Sequence, residues 1–206
     1  ILSSSPERFM KKEGNKIVSQ PIKGTRPRGK STAEDEALRK ELCSDEKELA
    51  ENMMIVDLVR NDLARSSKIG SVKVEEIFGI YSFQQVHQMI STIVSEKHED
   101  VSAFEVIKNA FPMGSMTGAP KIKVMELIEQ YENTKRGAFS GAAGYISPNG
   151  DFDFNVLIRS LFLNCSSKTY SFQAGSAITY DSIPEKEYEE CMVKARAIIS
   201  LIQQGA

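Results

Sequence analysis

The sequence lacks the features that would assign it at once to several broad classes of protein. Its 26 basic and 28 acidic residues leave a formal net charge of −2, which argues against nucleic-acid binding, because phosphate backbones are bound by net basic surfaces. No apolar run approaches the roughly 18 residues that cross a bilayer, and no signal-peptide pattern is present. We therefore expect a cytoplasmic protein with no membrane and no nucleic-acid partner.

Cysteine is scarce as well. Cys43, Cys165 and Cys191 are an odd number of thiols without CxxC or metal-ligand spacing. This pattern favours reduced, mostly buried thiols in a reducing compartment over a disulfide framework. Repeats and low-complexity stretches are also missing, and the segment from Ile1 to Ser5 begins abruptly, like the middle of a strand. We expect residues 1–206 to be one domain, the C-terminal portion of a longer chain.

Hydrophobic periodicity and turn residues predict an α+β fold with antiparallel sheets flanked by helices. Apolar residues fall near helical spacing from Ser44 to about Arg65, which predicts a long helix beginning at Ser44. The Gly-, Pro- and Arg-rich segment from Pro21 to Lys30 is predicted to be a loop. The other predicted helices are 102–110, 119–131 and 184–203. The predicted strands are 14–20, 70–80, 85–95, 138–147, 153–163 and 168–178. The last three strands follow one another through short turns, which argues against a parallel doubly wound sheet.

Two Glu-x-x-Glu pairs stand on the first and last long predicted helices: Glu48 with Glu51, and Glu187 with Glu190. Residues three apart project from one helical face, so two facing helices would gather four carboxylates around one point. Such a cluster stays ionised only beside a cation, and an all-oxygen shell favours Mg²⁺. Solvated charge on two helix surfaces fits the same pattern.

Several segments together resemble the chorismate-utilising enzymes, which include anthranilate, aminodeoxychorismate, isochorismate and salicylate synthases. They extend over almost the whole chain and stand in the order of the C-terminal half of the larger subunit. The segments are Ser5-Pro6-Glu7-Arg8-Phe9, Pro21-Ile22-Lys23-Gly24-Thr25-Arg26-Pro27-Arg28-Gly29, Glu48-Leu49-Ala50-Glu51-Asn52, Ile55-Val56-Asp57-Leu58-Val59-Arg60-Asn61-Asp62, Thr117-Gly118-Ala119-Pro120-Lys121, Gln173-Ala174-Gly175-Ser176 and Glu187-Tyr188-Glu189-Glu190. The resemblance implies that the domain is part of the family's α/β sandwich and binds chorismate, with Glu48, Glu51, Glu187 and Glu190 holding Mg²⁺.

Position 23 separates two branches of that family. Anthranilate synthases resemble Pro-Ile-Ala-Gly-Thr at this loop, whereas component I of aminodeoxychorismate synthase resembles Pro-Ile-Lys-Gly-Thr, as here. The resemblance implies that Lys23 attacks ring carbon C2 as the C4 hydroxyl leaves, and that ammonia then adds at C4 and expels the lysine. A protonated lysine has no lone pair, so the role requires a neutral amine. Without the family match, Lys23 is one more basic residue in a loop that also holds Arg26 and Arg28.

The resemblance implies roles for further residues. Glu7 would be the general acid that protonates the departing C4 oxygen, although a surface carboxylate at a strand end fits the sequence too. His87 matches a family histidine near the reacting region, and an ordinary half-buried strand histidine fits equally. The substrate's two carboxylates need anion-binding groups, and the candidates are Thr117, Arg159, Gly175, Ser176 and Lys194. Thr117 also suits a helix N-cap, and Arg159 a surface position on an alternating strand.

The chain contains no Gly-x-Cys-x-Gly nucleophile turn for hydrolysing glutamine. A glutamine amidotransferase subunit is therefore the expected ammonia donor. The resemblance favours a Mg²⁺-dependent, transaminase-class aminodeoxychorismate synthase of folate biosynthesis, which makes 4-amino-4-deoxychorismate, the precursor of 4-aminobenzoate. Two alternatives stay open: anthranilate synthase or another chorismate enzyme that tolerates lysine at position 23, and a catalytically silent truncated module.

Overall fold

The computed structural model describes residues 1–180 and 182–204. Groups of two or four strands alternate along the chain with one or more helices. The strands are β1 (Leu2–Ser3), β2 (Arg8–Glu13), β3 (Lys16–Gln20), β4 (Ile22–Pro27), β5 (Lys73–Ser82), β6 (Val86–Glu96), β7 (Ala142–Ile146), β8 (Phe152–Val156), β9 (Ser160–Asn164) and β10 (Thr169–Ser171). The helices are α1 (Thr32–Ser44), α2 (Glu46–Ala64), α3 (Ala103–Ala110), α4 (Lys121–Tyr131) and α5 (Pro184–Gln204), with a 3₁₀ turn at Gly114–Met116.

Every strand pair described is antiparallel. The larger sheet has the order β4-β6-β3-β2-β8-β7, with β5 also paired to β6, and the smaller one has the order β1-β9-β10. The predicted α+β fold is therefore confirmed. None of the helices described is both long and apolar enough to cross a membrane.

Strands β3 and β4 run along β6 in one register, since Ser19 pairs with Ile93 and Ile22 with Ile90. The predicted loop from Pro21 to Lys30 is thus wrong over Ile22–Pro27. The sequence misled because this strand carries a bulge: Ile22 pairs with Ile90 and Thr25 with Gln88, which leaves two residues opposite one. Such bulges bend a strand and re-aim a side chain, and they favour glycine.

Helix α2 lies against the larger sheet and supplies much of the core. Its buried residues recur at helical spacing: Glu51, Asn52, Ile55, Val56, Val59, Asp62 and Leu63. The apolar ones among them pack with Phe9, Ile17, Ile93 and Phe152. The predicted long helix is confirmed, but its N-cap is Asp45, whose side chain accepts from the Glu48 amide at 3.1 Å. Ser44 ends the preceding helix α1, which periodicity did not predict because it buries only Leu42.

The other predictions differ mainly at element ends. The strands near 70–80 and 85–95 and the helices near 102–110, 119–131 and 184–203 are confirmed with shifts of a few residues. Predicted strand 14–20 is confirmed from Lys16, whereas the predicted strands at 138–147 and 168–178 shorten to β7 and β10. Predicted strand 153–163 is two strands, because the chain turns between β8 and β9, where Arg159 has a φ of +50°. β8 joins the larger sheet and β9 the smaller one.

The prediction of mostly buried cysteines is wrong. Cys43 and Cys165 are exposed and Cys191 is partly exposed. Cys43 lies on α1, which turns most of its surface to solvent, and Cys165 lies in the turn between β9 and β10. The three are free thiols.

Candidate active site

The bulge in β4 aims Lys23 at helix α2. Its Nζ lies 3.0 Å from Glu51 Oε2, and the two side chains are 19% and 10% exposed. The Asn52 side-chain amide donates to the Lys23 carbonyl at 3.3 Å, and the Ser91 hydroxyl donates to the Asn52 oxygen at 2.6 Å. Gly24 follows with a φ of +97°, and a Cβ there would approach Leu42 Cδ1 to 3.0 Å. The Lys23 amine is therefore largely buried. Its backbone is fixed by the hydrogen bond from Asn52 and by the close packing at Gly24.

Glu7 is a buried carboxyl near this lysine. It is 6% exposed, and burial raises its pKa from 4.5 to about 7, although a hydrogen bond with Ser115 and the charges of Lys23 and Lys194 oppose the rise. A carboxyl with a pKa of about 7 is about half protonated at pH 7 and mostly protonated below it. It is thus suited to donate a proton to a departing oxygen.

Each of the four glutamates in the predicted metal cluster is paired with a basic side chain. The pairs are Glu48–Arg26 at 3.3 Å, Glu51–Lys23 at 3.0 Å, Glu187–Lys47 at 3.4 Å and Glu190–Lys194 at 2.5 Å. Within residues 1–180 and 182–204, no three His, Cys, Asp or Glu side chains come close enough together to hold a metal ion. The charge that was expected to require Mg²⁺ is thus balanced by the chain itself, and the four-glutamate metal site stays a prediction.

Two of these glutamates do converge on one cation. Lys47 Nζ lies 3.4 Å from Glu187 Oε1 on α5 and 3.8 Å from Glu51 Oε1 on α2. A cation position therefore exists between Glu51 and Glu187, and it is filled by an ammonium. Mg²⁺ commonly uses one or two protein carboxylates and completes its shell with water or substrate, so this position fits the ion. Glu48 and Glu190 point to other partners.

Residues predicted to bind the substrate carboxylates meet beside α5. Ser176 Oγ donates to Glu187 Oε2, Lys194 Nζ donates to the Gly175 carbonyl at 3.0 Å, and Arg159 Nη1 donates to the Lys194 carbonyl at 2.9 Å. Burial lowers the Arg159 pKa, against an opposing effect of Glu190. The segment before α5 thus places the Ser176 hydroxyl next to Glu187, and the cationic groups of Lys194 and Arg159 contact other parts of this segment and of the helix.

The remaining two candidates form hydrogen bonds with residues other than Lys23. His87 is buried between Ser82, 2.8 Å from Nδ1, and Asp35, 3.0 Å from Nε2. The Thr117 hydroxyl donates to the Met113 carbonyl at 2.9 Å, and Thr117 is not an N-cap, because α4 begins after Pro120. None of the hydrogen bonds described for His87 or Thr117 reaches Lys23 or Glu51. Their assignment to the substrate stays a prediction.

Sequence reasoning missed several residues that support the site. Lys121, in the Thr-Gly-Ala-Pro-Lys segment, lies 2.6 Å from both carboxylate oxygens of Asp62 on α2, and both side chains are largely buried. This ion pair joins two of the segments that carry the family resemblance. Lys47 was missed as well, although its spacing of four residues from Glu51 is the usual signal for a helical ion pair.

The comparisons with known proteins identify the class. Residues 1–200 match the family described as chorismate binding enzyme, and the chain belongs to that family. It is 45% identical to anthranilate synthase component 1 of Methanothermobacter marburgensis, over 100% of this chain and 44% of that protein. It is also 45% identical to the chloroplastic aminodeoxychorismate synthase of Arabidopsis thaliana, over 99% of this chain and 22% of that protein.

A solved structure also matches the chain. The crystal structure of anthranilate synthase component I from Streptococcus pneumoniae matches with a TM-score of 0.82 and 36% identity, over 94% of this chain and 42% of that chain. The chain thus spans less than half the length of each of these three relatives.

Proposed function

We propose that the protein is an aminodeoxychorismate synthase, component I, which makes 4-amino-4-deoxychorismate from chorismate and ammonia. Overall similarity does not discriminate, because anthranilate and aminodeoxychorismate synthases match the chain equally well at 45% identity. The observation that carries the proposal is Lys23. The bulge presents it as a largely buried amine 3.0 Å from Glu51 and close to the protonatable carboxyl of Glu7.

In the first step the Lys23 nitrogen attacks ring carbon C2. A carbon–nitrogen bond forms, the ring double bonds shift, and the bond from C4 to its hydroxyl oxygen breaks. Glu7 supplies the proton with which that oxygen leaves as water. Lys23 must first lose a proton to solvent, because an ammonium, such as one paired with Glu51 at 3.0 Å, has no lone pair.

In the second step ammonia adds at C4, the double bonds shift back, and the bond between C2 and the Lys23 nitrogen breaks. The net change replaces the C4 hydroxyl by an amino group and releases water. A glutamine amidotransferase subunit is proposed as the source of ammonia. This part of the proposal rests on the resemblance to the family.

Glu51 and Glu187 are the residues that would hold Mg²⁺. The ion would bind the ring carboxylate of chorismate and neutralise both glutamates. Glu48 and Glu190 would join only after leaving Arg26 and Lys194. Contact of the substrate carboxylates with Arg159, Lys194, Ser176 and the Gly175 backbone is supported by their position beside α5, where Ser176 bonds Glu187.

Product analysis tests the proposal. The protein is incubated with chorismate, Mg²⁺ and ammonium, and the products are separated and identified by mass. We expect 4-amino-4-deoxychorismate, together with a transient adduct on the peptide that contains Lys23. Borohydride should not trap this adduct, because the linkage is a secondary amine and not an imine. Glu51→Gln should lose the Mg²⁺ response while the protein stays folded.

Other outcomes select the alternatives. Anthranilate released directly would identify an anthranilate synthase, which the equal similarity to that branch favours as second candidate. Lys23→Ala is the matched variant for this comparison, because it gives the chain the Pro-Ile-Ala-Gly-Thr loop that anthranilate synthases resemble. Turnover only in a longer version of the chain would indicate that this portion is a silent module by itself.

A further inference from the structure

Polar contacts help to hold helix α5 on the rest of the domain. Of its 21 residues, Glu187 and Ala195 are buried, and Ile198, Ile199 and Ile202 are half-buried. Its contacts to more distant segments include the pair of Glu187 with Lys47 and the bond from Arg159 to the Lys194 carbonyl. The attachment of α5 to α2 therefore depends on what lies between Glu187 and Glu51.

The group found there is the ammonium of Lys47. Glu51 and Glu187 have side chains only 10% and 8% exposed, and two buried carboxylates that face each other repel unless a cation separates them. The Lys47 nitrogen lies 3.4 Å from Glu187 Oε1 and 3.8 Å from Glu51 Oε1, where a positive charge offsets that repulsion.

Lys47 differs from the other lysine at Glu51 in its access to water. Its side chain is 52% exposed, whereas that of Lys23 is 19% exposed. Lys47 also approaches Glu51 Oε1 and Glu187 Oε1, the oxygens that face the gap between the helices. A long, half-exposed side chain can leave such a position for solvent at small cost, because exposed ion pairs are weak.

We propose that Lys47 is the resident cation between Glu51 and Glu187, and that a divalent ion binds there by displacing it. Two cations cannot share one position between the same carboxylates, because their mutual repulsion would cancel the gain. Lys47 thus holds α5 on α2 in the metal-free protein and competes with the metal. The inference rests on the divalent-ion site of the proposed function, but not on which product is formed.

The test measures Mn²⁺ binding by electron paramagnetic resonance in wild type, Lys47→Gln and Arg60→Gln. Arg60 is the matched control, because it is equally exposed on the same helix and pairs only with Asp57 among the contacts described. Lys47 makes its two ion pairs from a half-exposed side chain, and such pairs are weak. Removing this competing cation should therefore lower the Kd for Mn²⁺ about three- to tenfold in Lys47→Gln. Arg60→Gln should match wild type.

Hydrogen exchange supplies a second measurement. In metal-free Lys47→Gln, amides of residues 184–204 should exchange faster than in wild type, because the two carboxylates are left without their cation. Saturating Mg²⁺ should restore wild-type exchange.

The two proposals fail in different ways. If wild type binds Mn²⁺ and Lys47→Gln binds it with equal or weaker affinity, the role of Lys47 alone is overturned. Absence of binding in wild type and in Lys47→Gln would overturn the metal site of the proposed function, and the role of Lys47 with it.

Discussion

Replacing Glu7 by Gln is expected to change how the stability of the protein depends on pH. Burial raises the Glu7 pKa from 4.5 to about 7. A carboxyl whose pKa is raised on folding contributes stability that is fully present below its unfolded pKa and is lost as the pH rises through its folded pKa. The wild type should therefore lose stability between about pH 4.5 and about pH 8 through this group.

The magnitude follows from the size of the pKa shift. One pKa unit corresponds to about 1.4 kcal/mol, so a rise from 4.5 to about 7 amounts to about 3 kcal/mol of unfolding free energy. Glutamine is uncharged at every pH and removes this dependence. Between about pH 4.5 and about pH 8, the unfolding free energy of Glu7→Gln should rise by about 3 kcal/mol relative to that of wild type.

The assay is urea unfolding followed by circular dichroism at several pH values. Glu13→Gln is the control, because Glu13 is the last residue of β2, the strand that begins directly after Glu7, and its side chain is 68% exposed. Any constant offset, such as a changed hydrogen bond with Ser115, cancels when slopes are compared. Parallel pH curves for wild type and Glu7→Gln would refute the argument that burial keeps Glu7 protonated.

Two further predictions concern the segments around the site. Gly24→Ala should destabilise the protein by about 1–3 kcal/mol, because Gly24 combines a positive φ with a contact at 3.0 Å. Gly70→Ala, at a φ of +75° in open space, should cost less, and equal losses in thermal unfolding would show that packing does not matter. Lys121→Met should cost about 3–5 kcal/mol by leaving the Asp62 carboxylate buried without its partner. In urea unfolding, the added change Asp62→Leu should recover part of that loss, and no recovery would contradict the ion-pair explanation.

The success of the sequence-based predictions followed the strength of the local pattern. Helix α2 was predictable because its apolar residues recur on one face over five turns. Helix α1 was missed because it buries only Leu42, and a charged helix has no hydrophobic period to detect. Strand β4 was missed because its bulge contains Gly24 and its neighbours include Pro21, residues that usually mark loops.

The candidate site likewise has features that the sequence predicted and features that it did not. The sequence alone supplied the identity of Lys23 and Glu7, the glutamate pairs and the family segments, because each is a local run of residues. It did not supply the ion-pair partners. Glu187 lies 140 residues from Lys47 along the chain, and sequence separation gives no hint of such a contact.

The sequence by itself determined which chemical groups are present and which elements carry them. Only the tertiary structure decided that a bulge turns Lys23 onto α2, that burial raises the Glu7 pKa to about 7, and that Lys47 occupies the space between Glu51 and Glu187. The physical reason is that pKa values and ion pairs depend on distance and burial. Both are set when remote segments pack together, and local sequence patterns do not encode them.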